Sequence, residues 1–288
     1  MERQGANFVK ETISKHAIKP SKSMGQNFLT DPNIPEKIVR LAGYDSSCGV
    51  LEIGPGLGAL TSEIANTAGC VVAVELDKNL IPILEDLFES NPKINIIHGD
   101  MLKVDLAMLV KELMPGLRYH VCANLPYSIT TPAISAFIEA GVFESIIIMI
   151  QKEVADRIVA KPGTSDYGAF SIYVNYHTEP ELLFNVSPES FYPKPGVMST
   201  VIKLKTYDSE SPRFDKEDDL FKIVRAAFSQ RRKTLANALY SKFSSKFSKE
   251  DIVEAIKKCG FDANIRGEVL SLEDFMRLTR ILLARNAL

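Results

Sequence analysis

The strongest constraint on this chain is an alternation in its first half. Five short, nearly unbroken apolar runs recur: GVLEIG (49–54), CVVAVEL (70–76), INIIHGD (94–100), YHVCAN (119–124) and SIIIMIQ (145–151). Helical patterns at 59–68, 78–88 and 132–140 fall between them. A strand that is apolar at every position has no face to show water, so both faces of its sheet must be covered. Helices between consecutive strands supply that cover and make the strands parallel. The expected fold class is therefore α/β, a doubly wound parallel sheet.

The pattern then changes. SIYVNYHTEPELLFNV (171–186) and STVIKLK (199–205) follow one another without a crossover helix, and read as an antiparallel edge added to the sheet. PESFYPKPG (188–196) between them is Pro-rich and reads as a loop. TYDSESPRFDKEDD (206–219) is polar and reads as a linker. Helices are expected at 217–229, 231–241, 249–258 and 271–285. The expected division is an α/β domain over 1–205, with 1–30 as an N-terminal segment, and a small all-α domain over 206–288.

Composition excludes more than it selects. The 4 cysteines form no C-x-x-C, and Cys70 and Cys122 lie in apolar runs as small core residues, which suits a reducing compartment. The 4 histidines lack metal-ligand spacing, so no metal is expected. No apolar h-region opens the chain, and Ser145–Ile150 is too short to span a bilayer, so a soluble, cytoplasmic protein with no membrane partner is expected. The net charge of −2 hides an asymmetry: Lys222 to Lys249 holds eight basic residues and no acidic one. Such a stripe on a near-neutral chain points to a polyanion at one face, or to an ordinary solvated helix surface.

The first strand runs into Glu52-Ile-Gly54-Pro-Gly56-Leu-Gly58-Ala59. Glycines after a strand allow a tight turn and let a ligand approach main-chain N–H groups. Glu75 ends the second strand, where a carboxylate can accept hydrogen bonds from two ribose hydroxyls. Asp100 ends the third, where it can accept from an adenine amine. Leu76 and Met101, next to these acids, complete the expected cofactor wall. All sit at carboxyl ends of parallel strands, where open α/β sheets bind ligands, so an adenosine-containing cofactor is expected. Gly54-x-Gly56-x-x-Ala59 also satisfies a looser dinucleotide fingerprint, which keeps NAD open.

The fourth strand ends in Asn124-Leu125-Pro126-Tyr127 at the same rim. The Asn124 amide oxygen can accept one N–H of an exocyclic amine, and the Leu125 carbonyl the other. Pro126 has no N–H and a fixed φ, so it can aim neighbouring carbonyls outward. Tyr127 offers a ring face on which a flipped base can stack. The alternative is a plain turn with Asn as a local cap.

Asn-Leu-Pro-Tyr resembles the target-amine motif of the rRNA adenine-N6 methyltransferase family. KSMGQNFLTD (22–31), SFYPKPGVMSTVIKL (190–204) and FSQRRKTLANAL (228–239) resemble three further motifs of that family, in the same order and over nearly the whole chain. The likeness is closest to its small-subunit dimethyladenosine transferase branch. That resemblance implies a Rossmann-like class I S-adenosylmethionine-dependent methyltransferase sheet with an antiparallel edge strand. It implies N6 dimethylation of two adjacent adenosines in the 3′-terminal hairpin of 16S rRNA, in a 30S precursor, with S-adenosyl-L-homocysteine as product. It implies cofactor contacts from Gln26, Asn27, Leu29, Gly54, Gly56, Glu75, Asp100 and Asn124, and stacking of the target base by Tyr127 and Phe191. It makes 1–205 the catalytic domain, with 1–30 as its N-terminal cofactor- and RNA-contacting segment, and 206–288 a helical RNA-binding domain. Met24 departs from the family's commoner Leu before Gly25, a volume-conserving change. Phe28 is expected to pack under the glycine loop.

Arg231, Arg232 and Lys233 are expected to open a helix, where three adjacent cations cannot share one face; two would meet phosphate and the third pair internally. Lys22 would add to this RNA contact. The chain is expected to act as a monomer. The sister branch, macrolide-resistance methyltransferases acting on 23S rRNA, shares most of these motifs. An NAD-dependent oxidoreductase is the alternative chemistry, but no well-placed His or Lys serves hydride transfer. A binding protein that checks ribosome assembly is a third reading.

Overall fold

The computed structural model describes residues 5–21, 24–207 and 214–285. The chain divides into two compact units, residues 1–155 with 179–209, and residues 156–178 with 210–288.

The first unit is built on a seven-stranded sheet. Its strands are β2 (Cys48–Ile53), β3 (Cys70–Glu75), β4 (Ile94–His98), β5 (Arg118–Asn124), β6 (Phe143–Gln151), β7 (Thr178–Val186) and β9 (Ser199–Thr206), in the order β4-β3-β2-β5-β6-β9-β7. Two-residue strands β1 (Phe28–Leu29) and β8 (Phe191–Tyr192) pair separately and antiparallel. The pairs from β4 through to β6 are all parallel. β6 pairs antiparallel with β9, from Ser145↔Lys205 to Gln151↔Ser199. The expected parallel sheet with an antiparallel addition is what forms.

Every residue of β2 is buried, as are six consecutive residues of β6 from Ser145 to Ile150. Burying each such Val or Ile side chain contributes roughly 1.5–3 kcal/mol, so these strands fix the sheet. Helices α1 (Ala6–Lys15), α2 (Asn33–Ala42), α3 (Ala59–Thr67), α4 (Ile81–Phe88), α5 (Leu106–Leu113) and α6 (Thr130–Ala140) belong to this unit. Asp105 caps α5 by accepting from Met108 N at 2.9 Å. Val9 of α1 is fully buried in a cluster with Phe28, Leu57, Leu80, Leu84 and Phe88. This helix is thereby pinned beneath the glycine loop.

The helical unit differs from the expected division in one respect. It takes residues 156–178 as well as the C-terminal segment, so the boundary is not a single cut at 205/206. Helix α7 (Lys152–Val159) is followed by α8 (Ala169–His177), which occupies the stretch read as the start of a strand. Only 178–186 of that stretch is extended. Aromatic and β-branched residues favour strands on propensity, but tertiary packing decides here. Ile172 lies in the apolar core of this unit with Tyr173 and Tyr176 packed against it, and Asn175 Nδ2 donates to Ile158 O at 2.9 Å. Helices α9 (Glu217–Phe228), α10 (Leu235–Phe243), α11 (Lys249–Lys258) and α12 (Leu272–Arg285) complete it. Ser248 with Asp251 forms a capping box that starts α11, and Ser271 with Asp274 bonds reciprocally ahead of α12. No helix among the described residues is long and apolar enough to cross a membrane.

Candidate active site

Parallel strands β2 to β5 bring their carboxyl ends to one edge of the sheet, and a cavity of about 1130 Å³, open mouth included, lies there. The N-terminal segment contributes Gln26, Asn27 and Leu29 to its lining. Glu75 at the end of β3, Leu76 just after it, and Gly54 and Gly56 in the turn after β2 contribute too, as do Asp100 and Met101, which lie past the end of β4 at His98 and not on the strand as expected. Asn124, Leu125, Pro126, Tyr127 and Phe191 line it too. Every cofactor and target residue expected from the sequence thus faces one cavity of the first unit.

The glycines are required by the turn between β2 and α3. Gly56 and Gly58 have φ of +60° and +83°, a left-handed conformation that side-chain-bearing residues avoid. A Cβ on Gly58 would sit 2.7 Å from Phe88 Cζ, and one on Gly56 would sit 3.1 Å from Phe28 Cδ1. Phe28 therefore packs against the loop, as expected.

Glu75 is 6% exposed, and both carboxylate oxygens are engaged by main chain. Gly56 N donates to Oε2 at 3.2 Å and Asp77 N to Oε1 at 2.8 Å. Burial raises the Glu75 pKa, while these N–H groups pull it down. Each oxygen retains a lone pair, so the carboxylate is aimed while still able to accept from two vicinal hydroxyls. Asp100 is tied by Leu102 N to Oδ1 at 3.1 Å and by Lys103 Nζ to Oδ2 at 3.3 Å.

Two further acids matter that sequence reading did not place in the site. Glu52 lines the cavity yet is only 1% exposed. Among the described residues neither its Oε2 nor Thr61 Oγ1 makes a hydrogen bond of good geometry, although the two groups are close enough for the hydroxyl to act on the carboxyl. Burial pushes the Glu52 carboxyl up to about 8; nearby Thr61 draws it down and the Glu75 charge pushes it further up. The motif position was visible in the sequence; its burial is a tertiary property. Asp77, two residues past β3, accepts from Gln26 Nε2 at 2.9 Å. Since Ser21 N also donates to Gln26 Oε1 at 2.7 Å, both ends of that amide are held within the protein.

At the target side, Asn124 Nδ2 donates to Asn27 O at 3.2 Å, which orients the amide. No residue among those described donates to Asn124 Oδ1 or to the Leu125 carbonyl. Pro126 has ψ of 132° and starts a one-turn helix over Tyr127–Ile129, with Ile129 N bonded to Pro126 O. Tyr127 Oη is tied to Ser199 Oγ at 2.8 Å, a partner on β9 that sequence spacing could not reveal. Phe191 is 5% exposed and pairs with Leu29 in the small sheet, whereas Tyr192 beside it is 41% exposed.

In the helical unit, Arg231, Arg232 and Lys233 do not open a helix. They occupy a turn, and α10 begins only at Leu235 with Thr234 as its N-cap. Thr234 competes better than a cation for the free N–H groups there. Arg231 Nη2 donates to Ser165 O at 2.6 Å and Tyr167 O at 3.1 Å, and lies 3.6 Å from Glu268. Arg231 is therefore the internally paired cation, and Arg232 and Lys233 are exposed. Lys22 lies outside the described residues. Among the described residues no group of three or more His, Cys, Asp or Glu is placed to hold a metal ion.

A parallel sheet with an antiparallel addition, a glycine loop and acids at or just past successive strand ends fit the class of Rossmann-like methyltransferases. Residues 17–282 match the Ribosomal RNA adenine dimethylase family, and the chain belongs to it. It is 47% identical over 267 residues to Ribosomal RNA small subunit methyltransferase A of Alkaliphilus oremlandii, across 92% of this chain and 93% of the relative. A crystallised dimethyladenosine transferase from Plasmodium falciparum superposes with a TM-score of 0.73 at 27% identity, covering 87% of this chain and 95% of that one. The 23S rRNA methyltransferase ErmE superposes at 0.68 with 24% identity, covering 89% and 99%, a likeness of fold alone.

Proposed function

We propose that this chain dimethylates N6 of two adjacent adenosines in the 3′-terminal hairpin of 16S rRNA, acting in the cytoplasm on a precursor of the 30S subunit. The observation that carries the chemistry is the pair of unengaged acceptors, Asn124 Oδ1 and Leu125 O, at the rim of a cavity walled by Glu75 and Asp100. The small-subunit target is supported by the name of the 47% identical relative. The residues fit S-adenosylmethionine: a buried carboxylate aimed by two N–H groups, with lone pairs left to accept, suits a ribose.

When bound, the cofactor supplies an electrophilic methyl group on a sulfonium, a good leaving group. The chain's part is positional. Glu75 binds the ribose, Asp100 the adenine amine, and Leu76 and Met101 cover the adenine. Asn124 and Leu125 accept the two hydrogens of the target amine, which draws its lone pair out of conjugation and toward the methyl. Tyr127, held by Ser199, and Phe191 stack the flipped base. No strong general base is needed for the attack, because the amine becomes cationic as the methyl is transferred and then gives up one proton to solvent water.

Labelled S-adenosylmethionine incubated with 30S particles from cells lacking the modification tests this. Label is expected in 16S rRNA. Label in 23S rRNA of 50S particles instead would move the chain to the macrolide-resistance branch, and no transfer to either would overturn the reading.

A further inference from the structure

Gln26 matches a family position expected to touch the cofactor, but its amide is committed elsewhere. Its Nε2 donates to Asp77 Oδ2, and its Oε1 accepts from Ser21 N. Asp77 is 8% exposed, and its other oxygen accepts from Asn79 N at 3.0 Å and Asn79 Nδ2 at 2.8 Å. Its backbone N–H is one of the two groups that aim Glu75. Burial alone would raise the Asp77 pKa, yet the hydrogen bonds from Gln26 and Asn79 outweigh it and hold the group ionised. A charged acceptor makes each of these bonds stronger than a neutral pair.

The consequence is a continuous hydrogen-bonded path from one cavity wall to another. It runs from the N-terminal segment, through Gln26 and Asp77, to the Glu75 carboxylate and back to Gly56 of the glycine loop. The carbonyl of Asn27, next to Gln26, accepts from Asn124. The same short segment thus touches the ribose side through Gln26 and the target side through Asn27. We propose that Asp77 is a positioning residue for the cofactor, a latch that holds residues 24–29 over the cavity through Gln26 while its own N–H aims Glu75. This rests on the methyltransferase reading for the identity of the ligand, but the latch is tested by binding alone.

The test is a partner swap read by titration of the whole chain with S-adenosylhomocysteine. Gln26→Glu puts a second carboxylate against Asp77 and breaks the latch; its Kd is expected to rise by at least about 10-fold, the scale of one charge-assisted hydrogen bond. Gln26→Glu combined with Asp77→Asn restores a donor–acceptor pair, because the amide introduced at position 77 can donate to the carboxylate introduced at position 26. Affinity is expected to return to within about threefold of wild type, which a purely structural defect does not allow. Gln26→Leu removes the amide without adding charge and should raise KM for S-adenosylmethionine far more than it lowers kcat. Wild-type affinity in both Gln26 single variants would overturn the proposal. So would a folded double variant, with the wild-type melting temperature, that stays as weak as Gln26→Glu. Should the chain prove to methylate another RNA, these binding outcomes stand unchanged; should S-adenosylhomocysteine fail to bind wild type, it is the cofactor assignment that falls.

Discussion

Asn124 and Tyr127 are neighbours in the same motif with different expected defects. Asn124→Ala removes an acceptor that strengthens as the amine becomes nucleophilic, so kcat is expected to fall roughly 100-fold or more, on the scale of a lost transition-state hydrogen bond. Tyr127→Ala removes a stacking face, so the main loss should appear as a higher KM for RNA, by about 10-fold. Steady-state kinetics on unmodified particles separates the two, and equal defects in both parameters for both variants would count against the assigned roles. Glu52 carries a pH expectation. Its pKa is about 8 in the folded chain against an ordinary 4.5, so the folded state binds this proton more tightly than the unfolded one. That contribution is complete below pH 4.5 and is lost as pH rises toward 8. Glu52→Gln keeps the neutral shape, so without cofactor it should exceed wild type in stability at pH 8 relative to pH 5 by about 3–5 kcal/mol. Urea unfolding at the two pH values measures this, and parallel pH profiles would contradict it.

At the scale of elements, what was legible in the sequence was local. Glu75, Asp100 and Asn124, at or just past strand ends, could be read because each follows an apolar run, and the glycine loop because its spacing is contiguous. The pairing of Phe28–Leu29 with Phe191–Tyr192 could not, since two-residue strands leave no periodicity and the partners are far apart in the chain. Gln26 and Asp77 are separated by 51 positions, so the latch is equally silent in the sequence. Residues 171–177 misled because their aromatic content mimics a strand, while the helical unit needed the helix to bury Ile172. The loop after β2 gives the sharpest element-scale expectation. Gly58→Ala forces a side chain into a left-handed residue and against the Phe88 ring. A loss of about 2–4 kcal/mol in unfolding free energy is expected. A change within about 0.5 kcal/mol, the usual range for a surface substitution, would mean the loop tolerates another geometry.

At the scale of the whole molecule, the cations of the basic stripe noted in the sequence have different surroundings. Arg232 and Lys233 are exposed with no side-chain partner among the described residues, whereas Arg231 is bonded to main-chain carbonyls and lies near Glu268. Replacing Arg232 and Lys233 together by Ala should lower the slope of log K against log salt for RNA binding by about 1.5–2, in proportion to the phosphates released. Arg231→Ala should instead lower the melting temperature, with a smaller change in slope. Wild-type slopes in both variants would remove this face from the RNA contact. The seven-stranded sheet brings cofactor and target residues to one edge, so the central claim concerns what is methylated there. Mass-spectrometric mapping of methylated nucleotides in unmodified 30S particles, after reaction with this chain and S-adenosylmethionine, tests it most directly. The expected result is four methyl groups per particle, as N6,N6-dimethyladenosine at two adjacent positions in the 3′-terminal hairpin of 16S rRNA, formed about 100-fold more slowly with Asn124→Ala. Methyl groups on any atom other than adenine N6, or outside that hairpin, would contradict it.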